Sequence, residues 1–510
     1  MTLTRALRPP FKTVFAPALL ALIWAIAATR TASAETLPAE VLKTLRQAQV
    51  PASALSVLIT PLPDHARNPG NAQPPAKTTQ LSHRPRQLSH QANASVNPAS
   101  VMKLFTTYAG LSLLGPEHVW RNRIYTDGPL RDGVLQGHLI VRGSGDPKLV
   151  VERLQDLLTQ VQAAGVREVR GDIVLDRSVF DVRERSEPFD DEPLRPYNVS
   201  PDGLLLNFKA VVYKFTPDST SGQVQVRFEP PLAGLAVPTS LPMTSAPCSD
   251  WRRQLQADFS QPLHVRFAGS YPSRCGEREW PVAYPEPEAY APRVIRALWL
   301  SAGGQLTGQV RYGAPSASAR LLLEATSLPL SEIIQDINKF SNNVMAQQLY
   351  LTLSSELGAP GRFEASRVRL SQWWRNGFAE QDAPVMDNGS GLSRQERSTA
   401  RALTALLQAA STGPHAQHFA NSLSLAGIDG TTARLKERNP QSPVIANAWL
   451  KTGSLRDVAS VAGYVQGQSG QGYTLVAILN HPNAPQARAA LDQLLEWTVR
   501  DTPSPKANTP

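Results

Sequence analysis

The sequence predicts an α+β fold: one domain whose two halves lie far apart in the chain, interrupted by a large strand-rich insert. Three features carry that expectation. Amphipathic helical patterns gather toward both ends, three alternating strand patterns follow one another late in the chain, and residues from about 120 to 320 read as short strands and turns. At 510 residues the chain exceeds one ordinary core, so two or three domains are expected.

Taken in order, the first 34 residues form a separate object. Arg5, Arg8 and Lys12 make a positive start, Val14 to Ala28 is an apolar run that contains Pro17, and Ala32 and Ala34 supply small residues at a cut site. This is the pattern of a secretory signal cleaved after Ala34, and the run is shorter than the roughly 20 apolar residues of a bilayer span. The mature chain is therefore expected to be exported, with at most loose membrane association.

After the signal, "AEVLKTLRQAQV" reads as a helix, Ala54–Thr60 as a strand, the polar, proline-rich Pro61–Arg86 as an exposed loop, and "RQLSHQA" as a returning strand. Asn97 suits an N-cap and Pro98 a first helical turn; Val101, Leu104, Phe105, Leu111 and Leu114 then recur at helical spacing until Gly115-Pro116. "NRIYTD", "QGHLIVRG" and "EVRGDIVLD" are strand candidates, with a helix near 149–164. "LLLNFKAVVYKF", "GQVQVRFEP" and "PLHVRFAG" make an inner β module. Helices return with "LSEIIQDINKF" and "VMAQQLYLTLSSEL". "NAWLKTG", "VASVAGYVQG" and "GYTLVAILN" are strands, Gly467–Gly472 joins the last two, and "QARAALDQLLEWTVR" closes the fold. The expected domains are a discontinuous one of 35–120 with 320–500, an outer insert of 121–207 with 283–319, an inner module of 208–282, and a polar tail of 501–510.

Composition narrows the partners. Hydrophobic residues at 42% and charged residues at 18% are ordinary for a soluble protein. The formal charge of +9 falls to +5 once Arg5, Arg8, Lys12 and Arg30 leave with the signal. With no Lys/Arg run, a nucleic-acid partner is not expected, and a mildly basic surface suits anionic envelope polymers. In an exported chain the two cysteines, Cys248 and Cys275, are expected to pair as a local staple. The nine histidines are scattered without H-E-x-x-H, and His415 and His418 have no carboxylate beside them, so no metal site is expected.

Four short strings bear chemistry. Ser100-Val101-Met102-Lys103 is the one S-x-x-K, and its two polar side chains share a helix face in the first turn, where free N–H groups favour a nearby negative charge. Ser341-Asn342-Asn343 is an S-x-N between two helices; Ser95–Asn97 is another, but it runs straight into the Ser100 helix. Lys451-Thr452-Gly453-Ser454 is the one K-T-G, at a strand end, and "DNGSGLSR" spans Asp387 to Arg394. Each alone reads equally as a capped helix, a strand exit or a glycine-rich loop.

Together, S-x-x-K, S-x-N and K-T-G in this order resemble the three signatures of penicillin-recognising serine enzymes. The wide gap from Ser100 to Ser341, with "RGSGDPKL", "RGDIVLDRSVFD", "PYNVSPDGLLLNF" and "LAGIDGTTARL", is similar to the class C low-molecular-mass penicillin-binding proteins, the D-alanyl-D-alanine carboxypeptidases/endopeptidases of peptidase family S13. Two departures are Asn342, where Asp is common, and a longer, more basic Pro61–Arg86 loop. The resemblance implies a transpeptidase-like domain carrying two nested β-rich domains, a periplasmic location, and no cofactor. The implied substrates are peptidoglycan stem peptides, with β-lactam antibiotics as acylating ligands. It implies that Ser100 is the nucleophile, Lys103 its base, and Ser341 a proton relay. Asn343 would hold the substrate amide and orient Lys103, while Lys451, Thr452, Gly453 and Ser454 would receive the terminal carboxylate. The N–H groups of Ser100 and Ser454 would form the oxyanion hole. Arg394 and Asp176 would bind the charged ends of the diaminoacid side chain. Two other readings stay open here: a serine β-lactamase or esterase with the same apparatus, and a non-catalytic wall-binding protein. The sequence leaves the oligomeric state undetermined.

Overall fold

The computed structural model describes residues 36–63, 85–182 and 188–502. The expected signal at 1–34, residues 64–84 of the expected loop, and the tail from 503 lie outside the described residues. Beyond Ala34 the chain forms one compact unit.

Its centre is a six-stranded antiparallel sheet in the order Ser424–Leu425, Ala448–Leu455, Val458–Gln466, Gly472–Asn480, Leu55–Pro61 and Leu88–His90. The first long strand pairs with the last, from Leu55 opposite Leu479 to Pro61 opposite Tyr473, so the two halves of the chain close into one sheet. Alternation along these strands sends side chains to two separate cores. Val57, Ile59, Leu475, Ala477 and Leu479 meet the helices Ala39–Gln47 and Ala489–Val499 on one face. Leu58, Val476 and Ile478 meet the helices Lys103–Leu114, Leu330–Lys339, Asn343–Ser355 and Ala400–Thr412 on the other. Both faces are covered, which is why "VASVAGYVQ" and "GYTLVAILN" are apolar almost throughout.

The helices follow the same logic. Leu330, Ile333, Ile334 and Ile337 recur at i, i+3, i+4 and i+7 and are the buried stripe of Leu330–Lys339. Lys103–Leu114 is buried on all sides from Lys103 to Leu111; a side chain at Gly110 would press on Leu349 at 3.1 Å, so glycine lets the Asn343–Ser355 helix come close. The expected Asn97-capped helix opens differently: Ala99–Met102 is a 3₁₀ turn, and the α-helix proper starts at Lys103. Asn97 still caps locally, its Oδ1 accepting from the Ala99 N–H at 2.9 Å. In a 3₁₀ turn, residues three apart eclipse, which stacks Ser100 and Lys103.

The insert leaves and returns through one antiparallel pair, Arg121–Asp127 against Arg320–Thr326. These strands edge a five-stranded sheet that continues through His138–Arg142, Ile173–Asp176 and Val310–Tyr312. "EVRGDIVLD" is two strands, Glu168–Val169 and Ile173–Asp176, in different sheets, because Gly171 lies against the Gly137 carbonyl. "LLLNFKAVVYKF" is a strand only from Ala210: Asn207, Phe208 and Lys209 all take positive φ and turn the chain first. The inner sheet contains Ala210–Asp218, Gln223–Glu229, Ser240–Thr244, Tyr271–Pro272 and Arg278–Ala283. Apolar packing does not break between outer and inner parts, since Ile124, Leu154, Phe215, Tyr271 and Trp299 belong to one continuous core. Among the described residues no helix is long and apolar enough to cross a membrane.

Cys248 and Cys275 are joined by a disulfide spanning 27 positions inside the inner module. Replacing both with serine should lower unfolding free energy by roughly 3–4 kcal/mol, from the loop entropy returned to the unfolded chain. Urea unfolding of the double variant beside the wild type checks this.

Candidate active site

Ser100 sits where three distant segments clamp one turn. Asn480, at the end of the last strand, accepts from the Asn97 N–H and donates to the Asn97 carbonyl, both at 2.8 Å. Asn97 Nδ2 donates to the Ser393 carbonyl at 2.8 Å, and Ser460 Oγ donates to the Pro98 carbonyl at 2.7 Å. Ala99 is held at φ +47°, a left-handed value seldom adopted by a side-chain-bearing residue. Two glycines permit the approach. A Cβ on Gly391, itself at φ +81°, would lie 2.7 Å from Ser100 Cα, and one on Gly453 would lie 3.0 Å from Ser100 N. The K-T-G strand therefore runs against the backbone of Ser100.

Lys103 is completely buried. Its Nζ donates to Asn343 Oδ1 at 2.6 Å and to the Ser390 carbonyl at 2.5 Å, and lies 3.0 Å from Ser100 Oγ. The amide of Asn343 has one sensible orientation, since its Nδ2 donates to the Tyr197 carbonyl at 3.2 Å. Burial, and then the charge of Lys451, push the Lys103 amine well below the ordinary lysine range; the carboxylate of Glu396 opposes them. An uncharged amine has two N–H groups and one lone pair. Asn343 and Ser390 offer only acceptors and engage both N–H groups, which leaves the lone pair for the Ser100 hydroxyl.

Lys451 is the second buried amine, brought down to about 7 by burial. Its Nζ donates to Ser341 Oγ at 2.9 Å and to the Thr452 carbonyl at 2.7 Å. Ser341 occupies the turn between the helices Leu330–Lys339 and Asn343–Ser355 at φ +58°, and Asn342 caps the second helix by accepting from the Met345 N–H at 3.1 Å. Thr452 Oγ1 shares a 2.8 Å hydrogen bond with Thr431 Oγ1, and Ser454 is exposed. Thus Ser100, Lys103, Asn343 and Ser390 form one bonded group and Ser341 and Lys451 another. Gly453 ties the strand of the second to the first.

Arg394 lies at the surface, ion-paired with Asp190 at 2.8 Å and with Asp457, and stacked 4.9 Å from the Phe189 ring centroid. Asp176 is not its companion. That carboxylate is buried at the end of its strand, where Oδ1 accepts from the Ser178 N–H at 2.9 Å and Oδ2 lies 3.3 Å from Arg142 Nε. The acids on Arg394 are Asp190 and Asp457, while Asp176 lies with Arg142. Sequence reasoning also missed the Ser390 carbonyl, although "DNGSGLSR" contained it, and the buried Glu396, which no spacing announced. Among the described residues there is no cluster of three metal-ligating side chains.

Comparison with known proteins bears on the family and the fold. A family model described as the D-Ala-D-Ala carboxypeptidase 3 (S13) family matches residues 77–500. The chain is 28% identical over 403 residues to a D-alanyl-D-alanine carboxypeptidase of Actinomadura sp. (strain R39), covering 75% of this chain and 73% of the relative. It is 24% identical over 392 residues to the D-alanyl-D-alanine carboxypeptidase DacB of Haemophilus influenzae, covering 75% and 80%. The crystal structure of penicillin binding protein 4 (dacB) from Haemophilus influenzae superposes with a TM-score of 0.67 at 20% identity, over 89% of this chain and 99% of that one. The fold is shared with that penicillin-binding protein.

Burial of Lys451 has a measurable signature. Between about 7 and the unfolded value of roughly 10.4, the unfolded chain binds a proton at this lysine that the folded chain lacks, so stability rises with pH. The unfolding free energy of the wild type relative to Lys451→Met should climb across that window, at up to about 1.4 kcal/mol per pH unit for one proton. Denaturant unfolding at several pH values checks the slope.

Proposed function

The chain belongs to the D-Ala-D-Ala carboxypeptidase 3 (S13) family and is a serine D-Ala-D-Ala carboxypeptidase; from that premise we propose how its residues act. The observation that carries the reading is the set of contacts at Lys103 Nζ, two to obligate acceptors and one to Ser100 Oγ.

Ser100 Oγ attacks the carbonyl carbon of the penultimate D-alanine while the Lys103 lone pair takes its proton. The new Oγ–C bond leaves a tetrahedral oxyanion between the N–H groups of Ser100 and Ser454. In comparable sites, losing one such donor costs roughly 2.7–4 kcal/mol of barrier stabilisation. Collapse breaks the C–N bond; the Ser341 hydroxyl, which Lys451 holds, gives its proton to the departing nitrogen and takes in its place the proton that Lys103 had accepted, which returns Lys103 to its free-amine form. Asn343 orients Lys103 and meets the substrate amide. Lys451, Thr452, Gly453 and Ser454 receive the terminal carboxylate. Water, deprotonated at Lys103, then attacks the acyl carbon and restores the Ser100 hydroxyl.

The same acyl donor with a larger amine as leaving group is a D-alanyl cross-link, so endopeptidase action belongs to this proposal. A β-lactam presents an equivalent amide and would acylate Ser100. Arg394, at the surface, suits a charged stem-peptide side chain, which would compete with Asp190 and Asp457 for the guanidinium. Removal of 1–34 on export would deliver the enzyme to the periplasm and its peptidoglycan.

Incubating the purified mature protein with muropeptides should release D-alanine and split D-alanyl cross-links, as read by mass spectrometry. Ser100→Ala should abolish both activities and labelling by a fluorescent penicillin. Lys103→Ala should stay folded and acylate on the order of 10²–10⁴ times more slowly; an unchanged acylation rate would remove Lys103 from the role of base.

A further inference from the structure

Among the described residues the lysines and acids that are completely buried are Lys103, Lys451 and Glu396, and the reaction scheme uses only the lysines. Glu396 Oε1 accepts three successive backbone N–H groups, from Asp387 at 3.1 Å, Asn388 at 3.1 Å and Gly389 at 3.0 Å. Burial pushes the Glu396 carboxyl above the usual carboxylate range and these three N–H groups pull it back toward the anion, which fixes their direction and with it the course of the chain. Downstream, Asn388 Oδ1 accepts from Ser390 N at 2.9 Å and from Ser390 Oγ at 2.5 Å. The Gly389 carbonyl accepts from Thr106 Oγ1 at 2.6 Å, and the Ser390 carbonyl accepts from Lys103 Nζ at 2.5 Å. An unbroken series of bonds therefore runs from the Glu396 carboxylate to the catalytic amine.

We propose that Glu396 is a positioning residue of the acylation step: its carboxylate folds the Asp387–Ser390 loop onto Lys103 and supplies a buried counter-charge for that amine. The inference rests on the reading of Lys103 as the base and deepens it. The carboxylate draws Lys103 toward its protonated form, against the burial and the Lys451 charge that favour the free amine.

The groups around this carboxylate come from four elements. Lys103 faces it from its helix and Tyr350 from the Asn343–Ser355 helix, while Asp387 belongs to the loop itself. Arg367 and Glu364 of the Phe363–Gly377 helix act on the Tyr350 side, with Arg367 3.9 Å from Asp387. Glu396 Oε2 and Tyr350 Oη are both buried without a hydrogen-bond partner. A glutamine at 396 keeps the accepting oxygen and places its amide nitrogen where Oε2 already has no partner, so this substitution removes charge and leaves shape.

The test is the pH dependence of the acylation rate constant for a chromogenic penicillin with the mature protein, for wild type, Glu396→Gln and Glu396→Asp. In Glu396→Gln the midpoint of the rise with pH should fall by about one unit or more, because the charge favouring the ammonium is gone. In Glu396→Asp the midpoint should hold and the rate should drop, because the charge stays and the loop loses its reach. A Glu396→Gln midpoint equal to wild type overturns the proposal. Should Glu396→Gln fail to fold, a Glu396→Asp enzyme with a shifted midpoint or an undiminished rate overturns it instead. Lys103→Ala measured alongside separates the two readings: if it acylates normally, the assignment of the base fails; if it does not and Glu396→Gln keeps the wild-type midpoint, only the role of Glu396 fails.

Discussion

The structure turns on one buried amine with three neighbours drawn from three parts of the chain. Lys103 Nζ contacts Ser100 on its own turn, Asn343 from a helix 240 residues on, and Ser390 from a loop later still. Taking a lysine out of water is costly while it is charged, and much less so once it is neutral and both its N–H groups are satisfied. The same burial that would harm an ordinary core thus yields a base. Each contact depends on something farther away. Asn343 presents its oxygen because its nitrogen is engaged by the Tyr197 carbonyl of the insert, and Ser390 presents its carbonyl because Glu396 and Asn388 shape the loop.

The central sheet gives this arrangement its rigidity. Asn480 and Ser460 on adjacent strands grip Asn97 and Pro98, and Gly453 on the next strand lets the backbone approach Ser100. Two positions at the site, Ala99 and Ser341, sit in left-handed backbone that costs of order 1–3 kcal/mol each and persists only where surroundings enforce it. Strain placed beside both hydroxyl-bearing turns fits a site whose geometry is preset before substrate arrives. The insert is no passive ornament, since it supplies Tyr197 to Asn343 and Asp190 to Arg394.

Much of this was legible in the sequence, for physical reasons. Strands buried on both faces or alternating with period two announced the sheet, and Leu330, Ile333, Ile334 and Ile337 announced their helix. Ser100, Lys103, Ser341, Asn343 and Lys451 stood out because S-x-x-K, S-x-N and K-T-G, ambiguous one by one, together resemble the signatures of penicillin-recognising serine enzymes. What stayed hidden depended on long-range packing. Asp176 and Asp190 look alike in sequence, and only the fold shows one buried beside Arg142 and the other turned to Arg394. Glu396 lies in a polar run with no periodicity, and its burial comes from the loop wrapped around it. Nor does the sequence mark where the outer and inner parts of the insert merge into a single core, because that merger is made by side chains far apart in the chain.

The central claim is that burial holds the Lys103 amine well below the ordinary lysine range, which makes it a base. It is tested most directly by following its ε-carbon resonance with pH in mature protein carrying ¹³C-labelled lysine, with the signal assigned by its loss in Lys103→Met. The account predicts that this signal titrates far below the ordinary lysine value of roughly 10.4. A Lys103 signal still that of an ammonium group above pH 9 would contradict it.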